Sequence, residues 1–162
     1  MLGESDALRA LYEGLHGSVL TRAQVGPGEI IVDFAGPDGT LSLSTAGSTW
    51  CLVRGDDPVV TYQDDENAID RFEIATGKRV VGVDPREGGG GLRIDLGDSL
   101  ALFIIQSDDG IAPDVPVLEA LTPDRRMIVL HRDGLVDDVP SDVPIRELIA
   151  SGALRHWPSD NS

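Results

Sequence analysis

One cysteine, one lysine and very few aromatic residues stand in this chain, and each scarcity removes a class of protein. A lone Cys51 cannot build an internal disulfide framework and fits a reducing compartment. Long apolar runs are missing too. The longest, such as Leu100 to Ile105, end after a handful of residues, far short of the roughly 20 that a membrane-spanning helix needs. Met1 to Arg9 carries Glu4 and Asp6 in place of the basic, apolar and small-residue succession of a secretory signal. These features predict a cytoplasmic chain that does not enter a membrane. Basic residues are outnumbered, 13 against 28 acidic ones, for a formal charge of −15. Such a field repels phosphate backbones and anionic lipid surfaces, so direct nucleic-acid binding is not expected. Lys78 is the sole lysine and aspartate far outnumbers glutamate, a bias typical of a GC-rich genome or a salt-adapted proteome.

What the chain does have is patterning. Its 162 residues, 41% hydrophobic and 25% charged, suit one globular domain, 1–162, that buries about two thirds of its unfolded surface. Within it, residues 7–66 and 67–134 lie over each other with modest gaps. Ala7 to His16 places Leu8, Leu11, Tyr12 and Leu15 on one helical face, with Ser5 or Asp6 as N-cap and Gly17 as stop. Ala68 to Thr76 repeats the scheme with Ile69, Phe72 and Ala75, and with Gly77 in the place of Gly17. Asp65 or Asn67 can cap it.

Strand-like segments follow in parallel order. Val19 to Val25 matches Arg79 to Val83, and Ile30 to Phe34 matches Leu92 to Leu96, with Asp33 and Asp95 at the same place in an apolar–Asp–apolar pattern. Turns at Gly36-Pro37-Asp38-Gly39 and Gly97-Asp98 lead into Leu41 to Ser44 and Leu100 to Ile105. The first of these alternates, as a strand with one wet face does; the second is almost continuously apolar, which predicts burial on both faces. Each unit closes with a hairpin, Trp50 to Arg54 with Val59 to Tyr62, and Val117 to Leu121 with Met127 to His131. The expected fold class is α+β and β-dominated. Two pseudo-repeated units, each a short helix plus about four antiparallel strands, share one core and are related by a pseudo-twofold axis. The extension 135–162 reads as an acidic loop with Pro140 and Pro144, a short helix Ile145 to Ala150 ended by Gly152, and a tail. The units differ most at the glycine run and at Ser107 to Pro116.

This order of elements, with a Trp-led hairpin after an apolar–Asp–apolar strand, resembles small uncharacterised bacterial proteins built on a duplicated β-rich unit, some of them found near toxin and immunity genes. The likeness spans Leu8 to Gly134 and departs from the pattern where Leu118 stands in the place of Trp50. It implies no catalytic residues.

Chemistry-bearing motifs are few. Acids are adjacent at Asp56-Asp57, Asp64-Asp65-Glu66, Asp108-Asp109 and Asp137-Asp138, yet none has the alternating spacing, central glycine and closing glutamate of an EF-hand loop, and no metal is expected. His16, His131 and His156 are scattered, with no paired-histidine motif and no nucleophile in a recognisable setting. His131 reads as a residue ending a strand. Gly88 to Gly91 lacks the Gly-Lys-Ser/Thr of a phosphate loop and opens a strand, not a helix, so no cofactor is expected. Cys51 reads as a packed side chain, Trp50 as core or as a seam between units, and Trp157 as a residue that pins the tail or anchors a partner.

The sequence therefore points to a non-catalytic acidic module that binds a basic protein, of the immunity or inhibitor type. Its contacts would be Asp56, Asp57, Asp64, Asp65, Glu66, Asp108, Asp109 and Trp157. Two alternatives stand beside it: a metal-assisted hydrolase using the same carboxylates, and a self-assembling subunit, a homodimer formed through a strand edge or Trp157.

Overall fold

The computed structural model describes residues 4–26, 29–45, 49–61, 68–85, 91–105, 116–131 and 136–155. The first helix, α1 (Glu4–Leu15), starts a turn earlier than its apolar stripe alone suggests. Ser5 and Asp6 thus lie inside its first turn instead of capping it, and Asp6 stands 4.0 Å from Arg9 one turn on. Ala7, Leu11 and Leu15 are buried. The helix stops where Ser18 donates its N–H, at 3.0 Å, and its hydroxyl, at 2.5 Å, to the Leu15 carbonyl. Gly17 there takes a φ of 83°, and Gly77, after the second helical segment, a φ of 85°. Both turns need the left-handed region that glycine enters without strain.

Three antiparallel strands follow: β1 (Val19–Gly26), β2 (Glu29–Gly36) and β3 (Gly39–Ser44). A hairpin, β4 (Thr49–Arg54) and β5 (Asp57–Thr61), completes the first unit. The second unit opens with α2 (Ala68–Phe72) and a 3₁₀ turn (Glu73–Ala75), shorter and tighter than one continuous helix. It then runs β6 (Gly82–Pro85), β7 (Gly91–Asp95) and β8 (Leu100–Ile105), and closes with the hairpin β9 (Leu118–Leu121) and β10 (Arg126–Leu130). Each unit thus carries five strands.

The units exchange their hairpins. One sheet runs β1-β2-β3-β9-β10 and ends on β11 (Val136–Pro140); the other runs β5-β4-β8-β7-β6. The first unit's meander is extended by the second unit's hairpin, with Leu43 opposite Ala120, and the second unit's meander by the first unit's hairpin, with Leu102 opposite Leu52. Where the units begin, four hydrogen bonds close the symmetry: Gly17 N to Val80 O (2.8 Å), Gly77 N to Leu20 O (2.7 Å), Leu20 N to Lys78 O (2.9 Å) and Val80 N to Ser18 O (2.7 Å). Swapping each residue for its counterpart sixty positions away turns the first bond into the second and the third into the fourth. The pseudo-twofold therefore passes beside the Val19–Arg79 bridge. This topology is consistent with a duplicated helix-and-strand unit.

Inward positions match across the units. Ile30, Val32 and Phe34 of β2 and Leu92, Ile94 and Leu96 in and after β7 are all buried, as are Leu41 and Leu43 of β3 and Leu100 and Leu102 of β8. Each such leucine contributes about 1.5–3 kcal/mol by leaving water. Trp50 is both core and seam, since its ring meets the second unit's Phe72 edge-on, with centroids 6.1 Å apart. Its indole N–H is buried without a hydrogen-bond partner among the described residues. Gly91 is obligatory: a Cβ there would lie 2.2 Å from the Ile104 carbonyl oxygen.

The extension departs from expectation at its start. The Val-Asp-Asp-Val run is not an acidic loop but β11, paired antiparallel with β10 from Leu130–Val136 to Arg126–Pro140. Val136 enters the main core, while Val139 joins Met127, Val129, Leu148 and Leu154 in a second cluster. That cluster lies on the outer face of β10 and β11 beneath α3 (Ile145–Ser151), which Gly152 ends in the left-handed conformation. A buried aspartate makes the strand tolerable, because Asp137 has a hydrogen-bonded partner.

Candidate functional site

Two hairpin turns from different units meet beside the end of α1. The β2–β3 turn carries Pro37 and Asp38, and the β9–β10 turn carries Pro123 and Asp124. They touch where Gly39 approaches Pro123 so closely that a Cβ on the glycine would lie 3.1 Å from the Pro123 Cβ. Between the turns and the helix opens a cleft of about 540 Å³, inside the size range of small-ligand pockets, roughly 300–1,000 Å³. Phe34 and Leu41, both buried, back it; Glu13, His16, Asp38 and Asp124 stand exposed at its rim. The Thr122 hydroxyl donates to Asp124. Among the described residues, none of Glu13, Asp38 and Asp124 is in an ion pair.

The pseudo-equivalent place in the other half holds two of the predicted contacts. Asp56 and Asp57 are exposed at the β4–β5 turn, which abuts the β7–β8 turn through a 2.7 Å hydrogen bond from Gly55 N to Ser99 O. Here the charge is answered. Lys78 binds Asp98, and its hydrogen bond and its charge, with Arg54 adding to them, hold the Asp98 carboxyl below the ordinary carboxylate range. Asp64, Asp65, Glu66, Asp108, Asp109 and Trp157 lie outside the described residues.

The cleft's acids are not marked in the sequence, because Asp38 and Asp124 each stand alone in a turn and not in an adjacent acidic pair. The repeat held the signal, since the hairpin alignment sets Pro123-Asp124 against the Asp56-Asp57 turn. A second missed feature is the pair of His131 Nε2 and Asp137 Oδ2, 2.9 Å apart and both buried. His131 does not simply end a strand; it ties β10 to β11 on the face that α3 covers. Cys51 belongs to the other sheet. Among the described residues no three His, Cys, Asp or Glu side chains gather as a metal ion would require. No described helix is long and apolar enough to cross a membrane.

Fold and site together define a class: a two-sheet α+β protein whose halves trade hairpins and which carries an acid-rimmed cleft where the turn of a traded hairpin meets a turn of the meander that it extends. No family model matches the chain, and comparison with curated proteins and with solved structures finds no significant match to either.

Proposed function

We propose that the protein is an acidic binding module whose cleft at the β2–β3 and β9–β10 turns receives a basic segment of a partner protein. The observation that carries this reading is the acidic rim: Glu13, Asp38 and Asp124 stand around an apolar-backed hollow, and among the described residues none of the three is in an ion pair. An arginine or lysine fits such a place on both counts, its methylene stem against the apolar wall and its charged head among the carboxylates. Turn residues on a rigid sheet scaffold suit recognition, and the overall charge of −15 speeds the approach of a basic partner. An inhibitor or immunity-type role, in which the module covers a basic functional surface, follows from that chemistry.

Retention of partners from native lysate at low and high salt tests the reading. A basic protein should be held at low salt, released at high salt, and lost by the variant Glu13→Lys/Asp38→Lys/Asp124→Lys. It should still be held by Asp70→Lys/Glu73→Lys/Glu147→Lys, which changes the net charge equally at exposed residues that do not line the cleft. Equal loss by both variants, or no basic protein retained at all, would overturn the proposal.

A further inference from the structure

The β2–β3 and β7–β8 turns are equivalent under the pseudo-twofold, yet their aspartates, Asp38 and Asp98, stand in different chemical settings. The β2–β3 turn is a tight one, Pro37 and Asp38 between Gly36 and Gly39, which face each other as the closing pair of the two strands. Asp38 is exposed, and among the described residues no hydrogen bond or ion pair ties its carboxylate. The next residue is Gly39, exposed as well, so no side chain shields the amide nitrogen that follows Asp38. Asp98 is followed instead by Ser99, and its carboxylate is held by Lys78. Among the described residues Asp38 is the one aspartate that precedes a glycine.

We propose that Asp38 is a site of spontaneous isoaspartate formation and that this conversion remodels the cleft. The Gly39 amide nitrogen attacks Cγ of Asp38; its proton and the carboxyl hydroxyl leave as water, and a succinimide ring closes. Water then adds to the former main-chain carbonyl carbon of Asp38, and the bond from that carbon to the Gly39 nitrogen breaks. The chain now runs through Cγ, and the old carbonyl becomes a free carboxylate. One water is lost and one regained, so the step needs no further reactant. Ring closure requires the neutral carboxyl, whose hydroxyl can leave; at the equivalent turn Lys78 opposes it by favouring the charged form of Asp98. Local opening of the Gly36–Gly39 closing pair admits the attack, and such opening is easiest at exposed turns. The product has one more main-chain carbon between residues 38 and 39. It cannot be taken up toward the β9–β10 turn, because even a Cβ on Gly39 would lie 3.1 Å from the Pro123 Cβ. The β2–β3 turn therefore draws away from Pro123, and its carboxylate shifts from a side-chain end to the main chain. The proposal concerns the shape of the turn and does not depend on what the cleft binds.

Ageing the full chain for weeks in neutral buffer at physiological temperature tests this, with peptide mapping and labelling by an isoaspartate-specific carboxyl methyltransferase as readouts. Isoaspartate should accumulate at Asp38, more slowly than in the same chain held unfolded in urea, while Asp98 stays unconverted in the folded protein. Asp38→Glu, whose ring would be larger by one carbon, should abolish labelling at that position, with circular dichroism confirming that the variant folds. Converted protein, separated by chromatography, should lose hydrogen-exchange protection at the β2–β3 and β9–β10 turns and keep it in β7 and β8. An Asp38 that stays intact in the folded chain while the unfolded chain converts would sink the proposal. So would equal conversion at Asp98, or converted protein whose two turns exchange as before.

Discussion

β3 and β8 occupy the same place in the two halves, each the third strand of a meander joined to the other unit's hairpin. Facing inward they are alike, Leu41 and Leu43 in one and Leu100 and Leu102 in the other, all buried. Facing outward they are opposites. β3 presents Ser42 and Ser44, with the Ser42 hydroxyl bonded to Asp33 at 2.6 Å, whereas β8 carries on that side a buried Ala101 and the half-buried Phe103 and Ile105. The shared core constrains one face of each strand and leaves the other to diverge. What the halves have in common is therefore structural, and what distinguishes them is where binding is to be sought.

That division predicts its own largest effect. Leu43→Ala and Leu102→Ala remove equivalent side chains from the centre of one core, and each should cost about 3–4 kcal/mol in urea denaturation, within about 1 kcal/mol of the other. A single cooperative transition should be seen for both, because each sheet is built from both units. Two transitions, or costs differing by several kcal/mol, would mean that the halves are separate cores and that the symmetry is only topological.

The second contrast is at the sheet edges. β10 and β5 are equivalent, yet β10 is flanked by β11 and covered on its outer face by α3, while β5 ends its sheet. β5 is short, carries Pro58, which cannot donate a hydrogen bond, and has a register irregularity between Leu52 and Val53 on its partner strand. These are the usual means of blunting an edge. β10 is instead closed by the extension, and the buried His131–Asp137 contact lies at that join. Asp137→Ala withdraws the acceptor from a buried imidazole and should cost about 1–3 kcal/mol, with Asp137→Asn costing less. Hydrogen exchange should accelerate in β11 and α3 first and leave β2, β3, β7 and β8 protected. Unchanged stability and exchange would show that the extension is held by its apolar cluster alone.

Much of the fold was legible in the sequence because the repeat supplied two readings of each element. Apolar alternation and the turn glycines and prolines located all ten strands of the two units within a few residues, and Gly152 marked the end of α3. The exchange of hairpins was not legible, since pairing between distant segments leaves no local pattern; β3 accepts β9 only because Leu43 and Ala120 share an inward face in the folded chain. β11 was hidden by its charge. A Val-Asp-Asp-Val run reads as an exposed loop until His131, six residues away, supplies a buried partner. The cleft was hidden for the same kind of reason, as Glu13, Asp38 and Asp124 come from three segments that only the exchange brings together.

The smallest effect separates the two pseudo-equivalent turn sites. At the β7–β8 turn Lys78 answers Asp98, whereas the described acids of the cleft have no such partner. Asp98 is therefore expected to titrate below the ordinary carboxylate range when its side-chain carbon is followed by NMR, and Lys78→Met should move it upward, with Arg54 retaining a minor share of the shift. The linked stability has a definite sign. A carboxyl whose native pKa is depressed stabilises the fold at pH values above its unfolded pKa, and that contribution disappears as pH falls through the native value. The stability difference between wild type and Lys78→Met should accordingly be present at neutral pH, small because the pair is exposed, and should vanish in acid. If Asp98 titrates identically in both proteins, the Lys78 contact does not persist in solution, and the two turn sites are equally uncompensated.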